Sequence, residues 1–412
     1  MNINIPYGRD VISIDIDSKL IDEIIKPSPL SGTSITQRDI ASDEKLIAMA
    51  NDFLKGKEPT LIVINDHTRP TPSGVIINTI RPLLRNSEDT VFIATGTHRP
   101  STEYELGVIL GDSFDVFRMR IIQNDCKNDE FNNLGWTSYG TEVLINNVFE
   151  RFHKIFTIGS VEPHYFAGFT GGRKSFLPGA SSFISIEKNH SHALSKNALP
   201  LSLSGNPVNE DMTEFSRFIT HRWDVFSVQV VLDRDRSIYS IHYGDIYSSF
   251  TEAVDDALSV YSRELSKKYS VVVAIAMPPL DINLYQSLKA VENTISVVED
   301  GGVIILISPC REGVGEENFY NLMSSNRPKE DILAEIRANY TFGSHKSARL
   351  IEIMKKHQIW LYSDLDPQVV SKVGFKPIDD LKSAINDAIS ITDCKSNVLV
   401  VNDATVMVPT IK

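Results

Sequence analysis

Cysteine is scarce in this chain. Cys126, Cys310 and Cys394 are odd in number, far apart and without any C-x-x-C pair, which excludes a disulfide framework and makes a reducing, cytoplasmic setting the expectation. Positive charge is short as well. With 41 lysines and arginines against 53 aspartates and glutamates, the formal charge is -12 and the isoelectric point is near 5.4. On average no basic face is available for nucleic acid, and acidity gives no reason to expect binding to an anionic membrane. No apolar run approaches membrane-spanning length. The start, Met1-Asn2-Ile3-Asn4-Ile5-Pro6, lacks the charged-then-apolar pattern of a signal peptide. HExxH is absent, and there is neither an internal repeat nor a low-complexity tract.

What remains is an ordinary globular composition, 42% hydrophobic and 23% charged, in 412 residues. That length suggests at least two domains with ample cores. Short β-branched runs end abruptly in polar loops. Leu61 to Ile64 leads into Asn65-Asp66-His67-Thr68-Arg69-Pro70, Val91 to Ala94 into Thr95-Gly96-Thr97-His98-Arg99-Pro100, and Ile155 to Ile158 into a glycine-rich loop. Helical patterns follow the first two, from Val75 to about Leu84 and from Thr102 to about Leu110. Continuous apolar strands alternating with helices predict a largely parallel sheet, with ligands outside the carboxyl ends of its strands.

A charged helical stretch from Thr251 to Lys268 gives way to the apolar run Val271 to Ala276. Further strands are expected at Val303 to Ile307, Ile359 to Tyr362 and Val398 to Val401, with helices near Ser287 to Glu299 and Asp331 to Ala338. The fold class is therefore α/β: two α/β domains with largely parallel sheets and an active-site cleft between them. The expected division is 1–268 for catalysis and cofactor binding, and 269–412 for a smaller domain adding substrate contacts. The final strand-like tail suits either domain.

The most informative stretch is Glu162-Pro163-His164-Tyr165-Phe166-Ala167-Gly168-Phe169-Thr170-Gly171-Gly172-Arg173-Lys174-Ser175. Its glycines let backbone approach a ligand, and its histidine and lysine are reactive. One reading is a P-loop for phosphoryl transfer, weakened because that motif has glycine where Arg173 stands and no downstream strand ends in an obvious magnesium-binding aspartate. A purely structural turn and a ligand loop both remain open, the second with Lys174 held as a desolvated amine and His164 moving a proton. His98 is either a strand-end structural residue or, with His164, one of two bases of the kind that inversion of a stereocentre requires. Asp66 caps the turn after its strand or joins Arg69 in holding a charged ligand. His190, in Glu187-Lys188-Asn189-His190-Ser191-His192, is a weak metal signal alone, useful only if a cofactor brings the other ligands. Gln286 and Lys289 lie three apart at the start of a helix, either as a solvated first turn or as two donors to a ligand.

Together, DHTRPTP, GTHRP, PHYFAGFTGGRKS, the NH of KNH, and YQSLK, in this order over more than half the chain, resemble the nickel-pincer lactate racemase family. The resemblance implies a racemase or epimerase of a 2-hydroxy acid, either lactate-like or larger. Its cofactor would be a nickel-pincer nucleotide: nickel on a pyridinium-3,5-bisthiocarboxylic acid mononucleotide, covalently attached at Lys174 and made by separate maturation enzymes. By resemblance, His190 would be the nickel ligand and His98 and His164 the acid/base pair. Asp66, His67, Thr68 and Arg69 would line the cofactor, and Arg69, Gln286 and Lys289 would bind substrate. Hydride would pass to and from the cofactor through a planar 2-keto acid. The alternatives are a non-catalytic binder of the nickel nucleotide and a redox enzyme that oxidises a hydroxy acid with the same group and releases the keto product. One departure stands out: the family's tryptophan near the substrate has its counterpart at Phe342, and the changed wall leaves the substrate's side chain open.

Overall fold

The computed structural model describes residues 2–8, 10–15, 18–28, 35–84, 87–392 and 397–412. Cys394 lies outside them, while Cys126 and Cys310 are buried free thiols. The chain divides into two compact units, a central one of Pro29–Glu162 with Phe166–Val260 and a terminal one of Met1–Ser28, Pro163–Tyr165 and Tyr261–Lys412.

The central unit is built on a six-stranded sheet in the order Ile238–Gly244, Asp224–Leu232, Lys154–Ser160, Thr60–Asn65, Thr90–Ala94, Ile121–Gln123. Only the Ile238–Gly244 edge is antiparallel. The β-branched runs form the middle strands because they are covered on both faces, and Leu61, Ile62, Val63, Ile155, Phe156 and Ile158 are fully buried. The helices Ser73–Ile80 and Glu103–Leu110 bear out the two expected near Val75 and Thr102. Thr102 opens the second with a reciprocal cap to Glu105. Three adjacent parallel strands thus end at one edge, and their loops begin at Asp66, Thr95 and Val161.

The terminal unit carries a second six-stranded sheet, all parallel, in the order Lys376–Ile378, Gln358–Tyr362, Val298–Ile307, Tyr269–Ile275, Val398–Val401, Ile21–Ile25. The expected division at 268 differs from this arrangement at the N-terminal side. Ile21–Ile25 pairs with Val398–Val401, so residues before 29 fold with the C-terminal sheet. The helix expected to reach Lys268 also stops early: Ile246–Tyr261 is helical, and Ser262–Leu265 becomes a strand paired with Val408–Ile411. Residues near Ser287 form two short helices, Leu284–Ser287 and Lys289–Thr294.

Candidate active site

In the central unit, Asp66 follows its strand directly and is only 3% exposed. One carboxylate oxygen, Oδ1, accepts from the Thr68 backbone at 3.0 Å and from the Thr68 hydroxyl at 2.6 Å. The other meets His98 Nδ1 at 2.7 Å. Burial pushes the Asp66 carboxyl up, but the His98 charge and the bonds from His98 and Thr68 outweigh it, leaving the group lowered to about 2. An ionised carboxylate only accepts, so Nδ1 carries the proton of this bond, and in the neutral ring Nε2 is the acceptor. The His98 side chain is 37% exposed. This is a histidine held in one tautomer and open to a ligand.

The loop that holds His98 is set by its neighbours. Thr95 Oγ1 donates to the Asn124 carbonyl at 2.5 Å, and Gly96 N–H donates to the Gly179 carbonyl at 3.1 Å. His67 turns elsewhere, with Nδ1 3.0 Å from Ser101 Oγ. Burial lowers its pKa. Arg69 pairs with the buried Glu162 through one terminal nitrogen.

The glycine-rich loop is braced from inside. Arg173, where a P-loop has glycine, is buried and donates to the carbonyls of Ala167 at 2.9 Å, Phe169 at 3.1 Å and Gly171 at 3.4 Å. Its guanidinium covers the Phe250 ring, and burial lowers its pKa to about 9. Gly171, at φ 79°, has no room for a side chain: a Cβ would lie 2.6 Å from both Gln229 Oε1 and Val161 Cγ2. The loop is therefore a rigid holder for Lys174, which sits on the short turn Gly172–Ser175. The Lys174 pKa falls well below the ordinary lysine value, first through loss of water around the amine and then through the charges of Arg69 and Arg173. Burial thus works against the charged form of this amine, the direction that favours its use as a nucleophile.

His190 lies near the end of the helix Phe183–Ser191, edge-on to the Phe166 ring at 5.2 Å, and the same ring lies 5.9 Å from Lys174 Nζ. Burial, then the neighbouring Lys174, lowers the His190 pKa to about 3. It is thus a neutral imidazole, the form that binds metal. Its helix is anchored by Asn189, whose amide donates to Asp211 Oδ2 at 2.7 Å, while Thr137 and Thr141 donate to the same carboxylate. Among the described residues no three His, Cys, Asp or Glu converge on a metal position. A metal at His190 would take its other ligands from a cofactor.

The terminal unit holds the other expected residues. His164 is buried and stacks on Tyr165, with ring centroids 5.1 Å apart. Tyr165 Oη lies 3.3 Å from His345 Nε2, and His345 Nδ1 lies 2.8 Å from Tyr340 Oη. Phe342 meets the edge of His345 at 6.4 Å. Asn283 caps the helix that carries Gln286 and leads to the buried Lys289. Lys346 Nζ sits over the faces of Tyr165 and Tyr285, at 4.3 and 4.5 Å, and donates to the Tyr285 carbonyl at 2.7 Å.

The structure therefore brings Asp66, Thr68 and His98 into one group, and Lys174 and His190 onto one aromatic ring. It assigns His164, Gln286 and Lys289 to the other unit. Sequence reasoning missed Glu162 as the partner of Arg69 and the pairing of Asp66 with His98. It also missed His345 and Lys346. A carboxylate directly after a buried strand was the available signal for Asp66, and nothing local pointed to His345 or Lys346.

Parallel α/β units thus carry, on strand-end loops, a carboxylate-backed histidine and a buried lysine. A family model described as the lactate racemase N-terminal domain matches residues 7–200, and one described as the lactate racemase C-terminal domain matches 264–408. The chain belongs to the lactate racemase family. It is 28% identical to the lactate racemase of Thermoanaerobacterium thermosaccharolyticum, over 98% of this chain and 97% of that one. It is also 28% identical to that of Lactiplantibacillus plantarum, over 97% and 98%. The solved lactate racemase apoprotein from T. thermosaccharolyticum matches with a TM-score of 0.88 at 27% identity, covering 99% of this chain and all of that one. A Thermotoga maritima protein, 17% identical with a TM-score of 0.73 over 93% of this chain and all of that one, shares the fold. No helix among the described residues is long and apolar enough to cross a membrane.

Proposed function

We propose that this chain is a racemase or epimerase of a 2-hydroxy acid that works with a nickel-pincer nucleotide tethered at Lys174. The observation that carries the reading is the Asp66–His98 pair, in the same unit as the buried Lys174 and His190. The relatives are named lactate racemase, which makes lactate the first substrate to test. One solved relative is described as an apoprotein, which supports dependence on a cofactor.

Lys174 and His190 fit such a group. Joining a lysine to a carbonyl-type carbon needs a free amine, and ligating nickel needs an unprotonated imidazole; burial works against the charged form of both groups here. When bound, the group would accept the hydrogen of substrate carbon 2 and return it.

The remaining work belongs to the chain. His98 Nε2 takes the proton from the substrate hydroxyl, and Asp66 stabilises the imidazolium that results. Losing that proton alone leaves carbon 2 tetrahedral; it would become planar, and stereochemical memory would be lost, only as its hydrogen also leaves as hydride, which the bound group would accept. His164 is the second acid/base group, donating to the oxygen when the opposite enantiomer forms, with roles exchanged in reverse. Arg69 and Lys289 hold the substrate carboxylate, with Gln286 as a further donor. Thr68 and His67 line the cofactor side of the Asp66 loop. The cofactor maturation enzymes are the expected protein partners, and the setting is cytoplasmic.

The test is co-expression with cofactor maturation enzymes, intact mass and nickel analysis, then chiral chromatography of single-enantiomer hydroxy acids. We expect a mass gain on the Lys174 peptide, stoichiometric nickel, and conversion of either enantiomer to the mixture. Loaded protein that converts no hydroxy acid would reduce it to a nucleotide-binding protein. Net accumulation of keto acid would make it a redox enzyme.

A further inference from the structure

Lys346 is a buried amine that the reaction above does not use, and its surroundings are unlike those of a core lysine. It is 1% exposed. Its hydrogen bond runs to the Tyr285 carbonyl, and the rest of its contact is with two tyrosine faces. The nearby carboxylate, Glu292, is already held by Arg349 through Nε at 2.9 and 3.0 Å and through a terminal nitrogen at 2.7 Å. Burying an amine with no carboxylate of its own costs stability. Burial, countered by Glu292 and reinforced by Arg349, lowers the Lys346 pKa to about 7. A methionine would fill the same space without that cost.

What the amine touches is informative. Tyr165 is the residue after His164, and its ring stacks on the His164 ring. Tyr285 is the residue before Gln286, on the helix that leads to Lys289. The adjacent His345 bridges the hydroxyls of Tyr165 and Tyr340, so the Tyr165 ring is held at its face and at its tip.

We propose that Lys346 is a positioning residue: by joining the Tyr165 ring to the Tyr285 ring and carbonyl, it fixes the His164 strip against the short helix that bears Gln286 and leads to Lys289. The inference rests on the functional reading above for the roles of His164, Gln286 and Lys289. It concerns contacts within the terminal unit alone. A cation seated on two ring faces and one carbonyl can hold both partners without forming a covalent or ionic link to either. Small displacements of an acid/base group reduce turnover far more than they reduce binding.

The experiment compares the full-length Lys346→Met and Lys346→Gln variants with the parent chain. Three quantities are read: melting temperature, hydrogen exchange of peptides covering 163–166 and 284–289, and kcat and KM of the loaded enzyme. For Lys346→Met we expect an unchanged or raised melting temperature and faster exchange in those two segments. We also expect a kcat about tenfold lower with KM changed less than about threefold. Lys346→Gln, which keeps a donor for the Tyr285 carbonyl, should recover part of the loss. A lowered melting temperature with exchange raised throughout the terminal unit would make Lys346 a stability residue and overturn the proposal. So would unchanged exchange in the two segments, or a kcat within twofold of the parent. Should the loaded parent enzyme convert no hydroxy acid, the functional reading falls, and the exchange result alone decides whether Lys346 fixes the two segments.

Discussion

The two units hold the two histidines proposed as acid/base groups by different physics. In the central unit His98 is oriented by a single charge-assisted hydrogen bond to Asp66, and Arg69 by an ion pair with Glu162. In the terminal unit His164 is stacked on Tyr165, which is held by Lys346 and His345. A charge-assisted bond is strong and directional, and in a buried setting its loss leaves a charge unpaired. Ring stacking and cation–π contacts are individually weaker and tolerate small changes of angle. The first arrangement fixes a tautomer; the second fixes a place. Single-atom changes should therefore be severe in the central unit and mild in the terminal one.

Replacing Lys174 by Ala should have the largest effect, because it removes the amine of the proposed tether. We expect no mass gain on co-expression and no racemisation, with the fold intact by circular dichroism. Asp66→Asn comes next. The amide removes the negative charge that stabilises the His98 imidazolium, and it can donate where only an acceptor is wanted. We expect kcat to fall about a hundredfold or more with KM changed much less. A loss of under threefold would break the contrast between the units.

Asp66 also carries a pH signature. Its folded pKa lies below the unfolded value of 3.8, at about 2, so the stability it contributes is present above 3.8 and lost as pH falls toward 2. The shift corresponds to about 2 kcal/mol. Urea unfolding of the parent and Asp66→Asn chains at about pH 5 and pH 2.5 checks this, since the parent should lose more stability between the two. Gly171→Ala probes the rigid Lys174 loop instead. A positive φ and a Cβ at 2.6 Å from two atoms should lower stability by about 2 kcal/mol and impair cofactor loading, both readable by thermal melts and intact mass.

Much of the central unit was legible because its signals are local. Runs such as Leu61 to Ile64 are apolar without alternation, which belongs to strands covered on both faces, and each breaks into polar loop residues at its carboxyl end. That placed His98, Asp66 and Lys174 on strand-end loops before any contact was known. The terminal unit was less legible because its pairings are remote. Ile21–Ile25 joins a sheet strand at Val398–Val401, and Tyr165 meets His345. No periodicity encodes which distant strand completes a parallel sheet, or which helix presents a lysine to a tyrosine ring. The same holds within the central unit for Asp66 with His98, since each residue was visible alone and the bond between them was not. Arg173 was read as the residue that spoils a P-loop. Its reason for being there, bracing three loop carbonyls, appeared only in three dimensions.

The smallest effect should come from Tyr165→Phe, and it tests the terminal half of the contrast most directly. The change deletes the hydroxyl at 3.3 Å from His345 Nε2 and keeps the ring face that meets His164 and Lys346. Loss of one long hydrogen bond should cost about 1 kcal/mol or less, and kcat should stay within about threefold of the parent. Tyr165→Ala removes the ring itself, leaves a cavity costing about 3–5 kcal/mol, and frees His164 from its stacking partner. Chemical denaturation and steady-state kinetics on the two variants separate hydroxyl from ring. If Tyr165→Phe is as damaging as Tyr165→Ala, the terminal unit depends on a single polar bond as the central unit does, and stacking is incidental. If the two differ as expected, His164 is held by the shape and face of its neighbour, and an aromatic side chain suffices where Asp66 must remain a carboxylate.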